Sequence, residues 1–262
     1  MQLAHRAALN GVQLDEIDPR IIIKGIEGGA GKETVSTAGL GAGDGSRITG
    51  RRRDSIEVAV RFSMNIRRNA LSERSAVLEA VNAWAAKCGW LTINYKPDRR
   101  LLVDEAVTPG EGDLWKRLSE YTITFRAHAV PYWQAESETG GSTGIGGSGS
   151  GSFQAPGSAE TVADAKLENM SGATINTASI TIGGKTMSFT GLGLGGGKSL
   201  VIDHIIADGI PVVRIRAGSV SAMAKRTDGS ADDFCIRPGT VGFSFSAQRA
   251  CRLTVSCRGR FV

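Results

Sequence analysis

The sequence predicts a mainly β protein: a β-rich N-terminal domain carrying one α-helix, then an all-β antiparallel sandwich. Three observations carry this. Residues 55 to 66, SIEVAVRFSMNI, alternate apolar and polar over a long run, the period of a half-buried strand. One segment, within 72 to 88, shows helical spacing. From residue 161 onward, short alternating runs recur between turn residues, as expected of a sandwich.

The elements follow in order. Ile56, Val58, Val60, Phe62, Met64 and Ile66 share one strand face, with Glu57, Arg61, Ser63 and Asn65 on the other. In the helix, Val77, Val81, Trp84, Ala85 and Cys88 recur at helical spacing; Ser72 is placed to cap its start, and Gly89 to end it. WLTINY, the turn KPDRR and LLVDEA read as a hairpin. EYTITFRAHAV, residues 120 to 130, is a further strand with Tyr121, Ile123, Phe125, Ala127 and Ala129 facing inward. From Glu136 to Glu160, 14 of 25 residues are Gly or Ser. A flexible coil of that length spans about 25–30 Å, so the segment is expected to be an interdomain linker or a long surface loop. The expected domains are thus 1–135, a linker 136–160, and 161–262. In the last, ASITIGG, KTMSFTGL, SLVIDHII, PVVRIRAG, TVGFSFSA and CRLTVSCR are strands, with turns at Asp208-Gly209, Asp228-Gly229 and Pro238-Gly239.

Composition narrows the function. A chain of 262 residues, 41% hydrophobic, accommodates one large domain or two ordinary ones. Its net charge of +5 is mild, and acids and bases are interspersed, so no basic stripe points to nucleic acid. No apolar run has the length of a membrane span, and no signal peptide opens the sequence; assembly in a cytosol is expected. Cys88, Cys235, Cys251 and Cys257 contain no C-x-x-C pair. Cys251 and Cys257 on one extended strand stand roughly 20 Å apart at about 3.3 Å per residue, beyond the roughly 7 Å that a disulfide spans. They are expected as reduced, buried residues of one strand face.

The chemical motifs are decoys. GLGLGGGKSL, residues 191 to 200, has the look of a phosphate cradle. Counting back from Gly197, however, reaches Leu192 where the P-loop needs glycine. GIEGGAGKET fails in the same way at Ile26, and Glu33 occupies the place of the magnesium-binding hydroxyl. Gly191, Gly193 and Gly196 satisfy G-x-G-x-x-G, but a β-branched run follows where a dinucleotide site needs a helix. The stretch therefore reads as a glycine-rich hairpin between strands. Ser142 sits in a G-x-S-x-G match without the strand-to-helix turn of a nucleophile elbow. His128 is expected on a polar strand face. His204 and its neighbour Asp203 point to opposite faces and form no dyad. No His/Cys/Asp cluster has ligand spacing. Catalytic, cofactor and metal residues are all expected to be none.

The order of features in the first half resembles the distal tail protein (Dit) family of long-tailed phages and prophages. These features are Gly43-Asp44-Gly45, the Arg51–Asp54 entry into a long strand, the helix at 72 to 88, Pro97-Asp98, and Pro131-Tyr132-Trp133. In the second half, VIDHIIADG and IRPGTVGFSFS resemble that family's galectin-like sandwich, although Thr240 stands where an Asn commonly follows the Pro-Gly turn. The galectin sugar motif His-x-Asn-x-Arg and its stacking Trp have no counterpart here. The resemblance implies a structural hub at the distal end of a virion tail tube: a ring, of six copies in the family, with the sandwiches on its periphery. Implied partners are the tail tube protein, a tail-tip hub or tail-associated protein, and receptor-binding proteins, with no nucleic acid, no membrane insertion and no enzymatic role. Arg51, Arg52, Arg53 and Asp54 are the candidate subunit-interface residues, setting register between neighbours. The alternative is a carbohydrate- or receptor-binding module acting through the C-terminal sandwich.

Overall fold

The computed structural model describes residues 5–31, 33–39, 46–67, 69–110, 120–207 and 210–262. The chain is mainly β and divides into two compact units, residues 1–133 with Val262, and residues 134–261.

The first unit opens with β1 (Ala7–Leu9), β2 (Val12–Gln13) and a one-turn helix, α1 (Leu14–Ile17), which the periodicity of the sequence does not announce. Then come β3 (Ile21–Gly28), β4 (Glu33–Gly39), β5 (Ser46–Arg53), β6 (Ile56–Met64) and helix α2 (Leu71–Ala85). The hairpin β7 (Gly89–Ile93) and β8 (Arg99–Val103) follows, then β9 (Glu105–Val107), β10 (Tyr121–Ala127) and β11 (Trp133–Ala135), which carries the boundary. An antiparallel sheet in the order β3-β6-β10-β9 holds the centre. The alternation in β6 is realised: Ile56, Val58, Val60 and Phe62 are fully buried, and Ile123 and Phe125 lie beside them on β10. Val77, Leu78, Val81, Trp84 and Ala85 form the buried face of α2. The Trp84 ring meets Phe125 edge-on at 5.8 Å, so the helix lies against this sheet.

The helix differs from expectation at both ends. Its N-cap is Ala70, with no side-chain cap, and Ser72 lies inside the first turn. At the other end the helix stops at Ala85, and Cys88 falls beyond it with φ +47°. Gly89, at φ +109°, packs so closely on Asn10 that a Cβ would meet its Oδ1 at 2.3 Å. It is the start of β7 rather than a helix terminator. Arg74, on the buried face, donates from Nη2 to the Tyr121 hydroxyl at 2.7 Å, which is how a charged residue is accommodated there.

The second unit comprises β12 (Thr139–Ser142), β13 (Gly146–Ala155), β14 (Thr161–Asn169), β15 (Ala178–Ile182), β16 (Lys185–Phe189), β17 (Ser199–Ala207) and β18 (Ile210–Ala217). The short β19 (Val220–Ser221), a 3-10 turn at Met223–Lys225, β20 (Cys235–Ile236), the 19-residue β21 (Gly239–Cys257) and β22 (Arg260–Phe261) complete it. β21 organises the sandwich. Its first half pairs with β13 and β15, and its second half with β12 and β14. One strand thus ties four partners into a single ten-stranded sheet. TVGFSFSA and CRLTVSCR are the two halves of this strand, not separate strands. Phe243, Phe245, Leu253 and Val255 from β21 join Ile180, Leu167 and Ile202 in a single apolar core. Cys251 and Cys257 are free and buried on one strand face.

The linker expected at 136–160 is instead β12 and β13, which run along β21 for most of its length. Composition misleads here because the glycines serve packing rather than flexibility. A Cβ on Gly151 would stand 2.6 Å from Cζ of Phe243, and one on Gly149 would stand 2.9 Å from Cε1 of Phe245. The phenyl rings occupy the space that side chains would fill. Ladder hydrogen bonds to β21 replace the conformational freedom that an isolated Gly/Ser segment would retain.

Candidate functional site

β4 and β5 form a two-stranded ribbon, register Glu33 with Arg53 through Gly39 with Ser46, broken by a bulge between Ser36 and Thr37. Among the described residues this ribbon pairs with no third strand. Val35 and Ile48 are 44% and 49% exposed, and the other side chains of residues 33–38 and 46–50 are exposed as well. An isolated two-stranded ribbon is marginal in water, and apolar side chains on its open faces gain from a partner surface.

The four sequence-predicted interface residues lie at the base of this ribbon. Arg51 and Arg52 extend β5 opposite Val35 and Thr34; their side chains lie outside the described residues. Arg53 turns onto its own unit, its guanidinium 5.0 Å from the centre of the Tyr132 ring, a cation–π contact. The Asp54 carboxylate accepts a 2.7 Å hydrogen bond from the Thr34 hydroxyl. Arg53 therefore ties the base of the ribbon to the body of the unit, and Asp54 closes that base across β4. The Gly43-Asp44-Gly45 turn lies outside the described residues.

The glycines before β4 have a structural task. Gly28, at φ +87°, would bring a Cβ to 2.4 Å from the Glu57 carbonyl oxygen. The Gly29 carbonyl accepts a 2.7 Å hydrogen bond from Nε1 of the fully buried Trp133. Lys32 of the GAGKET stretch lies outside the described residues.

The stretch 191 to 198 is the connection from β16 to β17, strands not adjacent in their sheet order, so it is a crossover and not the hairpin expected. Its polar backbone faces inward. Buried Asn169 donates from Nδ2 to the carbonyls of Leu194 and Ala173, both at 2.8 Å. The Gly197 N–H donates to the Asn169 carbonyl, and the Lys198 carbonyl accepts from the Asn169 N–H. Leu192 and Leu194 are buried in the core. A loop with its N–H groups so engaged and its leucines inward offers no phosphate cradle.

Nor do the histidines assemble a catalytic group. His128 is exposed and bridged to Glu105 at 2.8 Å; this contact, before the one with Arg126, holds the Glu105 carboxyl below its ordinary value. His204 is mostly enclosed, with Nδ1 2.8 Å from Asp164. Its Nε2 is buried without a hydrogen-bond partner, so no nucleophile completes this pair. Asp203 binds Arg214 instead, in keeping with opposite strand faces. Ser142 is an exposed residue of β12. Among the described residues no group of three or more His, Cys, Asp or Glu is placed to hold a metal ion, and no helix is long and apolar enough to cross a membrane.

No protein-family profile matches the chain, and no curated protein matches it by sequence. Solved structures do. The SPP1 Dit (gp 19.1) protein, described as a paradigm of the hub adsorption apparatus in phages infecting Gram-positive bacteria, superimposes with a TM-score of 0.68 at 14% identity, over 98% of this chain and 99% of that one. A chain of the phage P2 baseplate in its activated conformation with Ca matches with a TM-score of 0.52 at 6% identity, over the whole of both chains. The fold expected from the order of sequence features is thus shared with these proteins from end to end.

Proposed function

We propose that this chain is a structural hub protein of a phage tail tip or baseplate, located at the distal end of the tail, where it joins the tail to adsorption proteins and catalyses no reaction. The observation that carries this is the end-to-end match of both units to a hub protein, with neither chain leaving an unmatched domain. A fold by itself does not dictate function, so the surface must agree with it. The β4–β5 ribbon supplies that agreement: among the described residues it pairs with no third strand, and it exposes Val35 and Ile48, which a repeating assembly covers. Strands β3 and β9 are the edges of the central sheet. Ile22 on β3 and Val107 on β9 are each 45% exposed, and edge strands are protected when a neighbouring copy pairs or covers them. Contacts of this head-to-tail kind close into rings. The ring reading, six copies with the sandwich units outward and galectin-like, is part of the same proposal. So are the tail tube protein and the tail-tip hub or tail-associated protein as its neighbours.

The test is native mass by light scattering, followed by negative-stain imaging, alone and with purified tail tubes. Closed rings with a central hole, or rings seated on tube ends, are expected. A chain that stays monomeric alone and does not bind tube ends would overturn the reading.

A further inference from the structure

The second unit carries a cleft of about 640 Å³ that the hub reading does not use. Three segments meet there: the β15–β16 turn at Gly183-Gly184, the run into β20, and the start of β21. The turn is a tight two-residue hairpin with φ of +58° and +82°, and the Gly183 N–H is tied to the Gly242 carbonyl at 3.0 Å. Buried Ile236 and Val241 contribute the apolar part of the lining. Two ion pairs flank it: Arg237 Nε to Glu160 at 3.0 Å, and Lys185 Nζ to Asp233 at 2.8 Å. Thr240 stands between, its hydroxyl accepting from Gln154 at 2.7 Å.

We infer that this cleft is a binding site for a neutral, hydroxyl-rich ligand of one or two saccharide units. Its volume is in the range of small-molecule sites, about 300–1,000 Å³. The charges narrow the class. Two cations face two carboxylates in solvent-exposed pairs, so their charges cancel and the rim offers no net field to a charged ligand. A hydroxyl needs none: it donates to the carboxylate and accepts from the guanidinium or ammonium of the same pair. The lining contains no aromatic ring, which disfavours a planar base or a stacked ligand. Ile236 and Val241 give the C–H face of a pyranose an apolar seat. Sequence reading, which sought the sugar site through a His motif and a tryptophan, had no means of finding this one: its residues are spread from 160 to 242.

Saturation-transfer NMR on the full chain, with methyl glucoside, methyl galactoside, N-acetylglucosamine and inorganic phosphate as probes, tests the site. Saturable binding of at least one sugar is expected, with Kd in the range of about 1 mM, and lost tenfold or more in Glu160→Gln and Arg237→Met. Gly242→Leu is the blocking variant: a Cβ there meets nothing within 4 Å, so the fold is retained while the added side chain enters the cleft. Unchanged thermal midpoints in these variants separate loss of the site from loss of the unit. No sugar binding, sugar binding that survives all three substitutions, or binding of phosphate in preference to every sugar would each overturn the inference. Ring assembly is measured separately and does not involve the cleft, so either reading can fail without the other.

Discussion

Asn169 shows how much of this protein rests on single polar side chains. Fully buried, it donates to two carbonyls and accepts from the N–H and hydroxyl of Ser171. Asn169→Ala would remove these four hydrogen bonds; the Leu194 carbonyl keeps the Ile175 N–H and the exposed Ala173 carbonyl keeps the Ser171 hydroxyl, so the cost is that of the lost bonds themselves, about 0.5–1.5 kcal/mol each. A clear fall in the thermal midpoint of the second unit is expected by calorimetry, whereas Lys198→Ala, an exposed position in the same stretch, leaves it unchanged. Asp18 gives a pH dependence. Hydrogen bonds from the Arg20 guanidinium, then from the Arg20 N–H, lower its pKa from 3.8 to about 2. A carboxyl lowered in the folded state contributes stability that is fully present above its unfolded value and is lost as pH falls through the folded one. The slope of stability between about pH 4 and pH 2 is therefore expected to flatten in Asp18→Asn, as followed by urea unfolding. Solvent around the Arg20 partner, 41% exposed, keeps the effect small.

Among the elements, β13 is the least strand-like in composition and one of the most constrained in place. Its glycines leave room for the rings of Phe243 and Phe245, so substitutions of high β-propensity are predicted to harm it. Gly151→Val is expected to destabilise the second unit by about 1–3 kcal/mol through overpacking, despite valine's preference for strands. If Gly151→Val proves neutral or stabilising in denaturant titrations, the space-filling account of this strand is wrong. Helix α2 makes the complementary point. Without a side-chain cap at Ala70, it owes its stability to the face set by Val77, Val81 and Trp84 on the sheet.

At the scale of the whole molecule, the β4–β5 ribbon is where assembly is expected to fail first. Val35→Ser with Ile48→Ser removes its exposed apolar contacts, and Arg51, Arg52 and Arg53→Ser removes its cationic base. Both variants are expected to lose the ring by light scattering. The first should keep the thermal midpoint of the monomer, since neither apolar side chain is buried within it. The second should lower it slightly, because Arg53 also stacks on Tyr132. Rings of normal mass in both variants would remove the ribbon from the interface.

The strands at 56–64 and 121–127, helix α2, the β7–β8 hairpin and the alternating runs of the second unit were legible in the sequence. Each buries one face, and one-sided burial imprints a period of two or of 3.6 on the residues. The four residues from Arg51 to Asp54 were legible as a charged strand entrance, but the contacts of Arg53 with the Tyr132 ring and of Asp54 with Thr34 were not. Long-range pairing leaves no such local trace. The conversion of residues 139–155 into strands depends on rings some ninety residues away, the length of β21 on partners from four segments, and the cleft on loops brought together only by the sandwich. Sequence by itself thus determined which segments could form elements, through periodicity. The tertiary structure alone decided which glycines yield their space to distant rings, which loops converge and which strands lie at an edge among the described residues, because each of these depends on atoms distant along the chain.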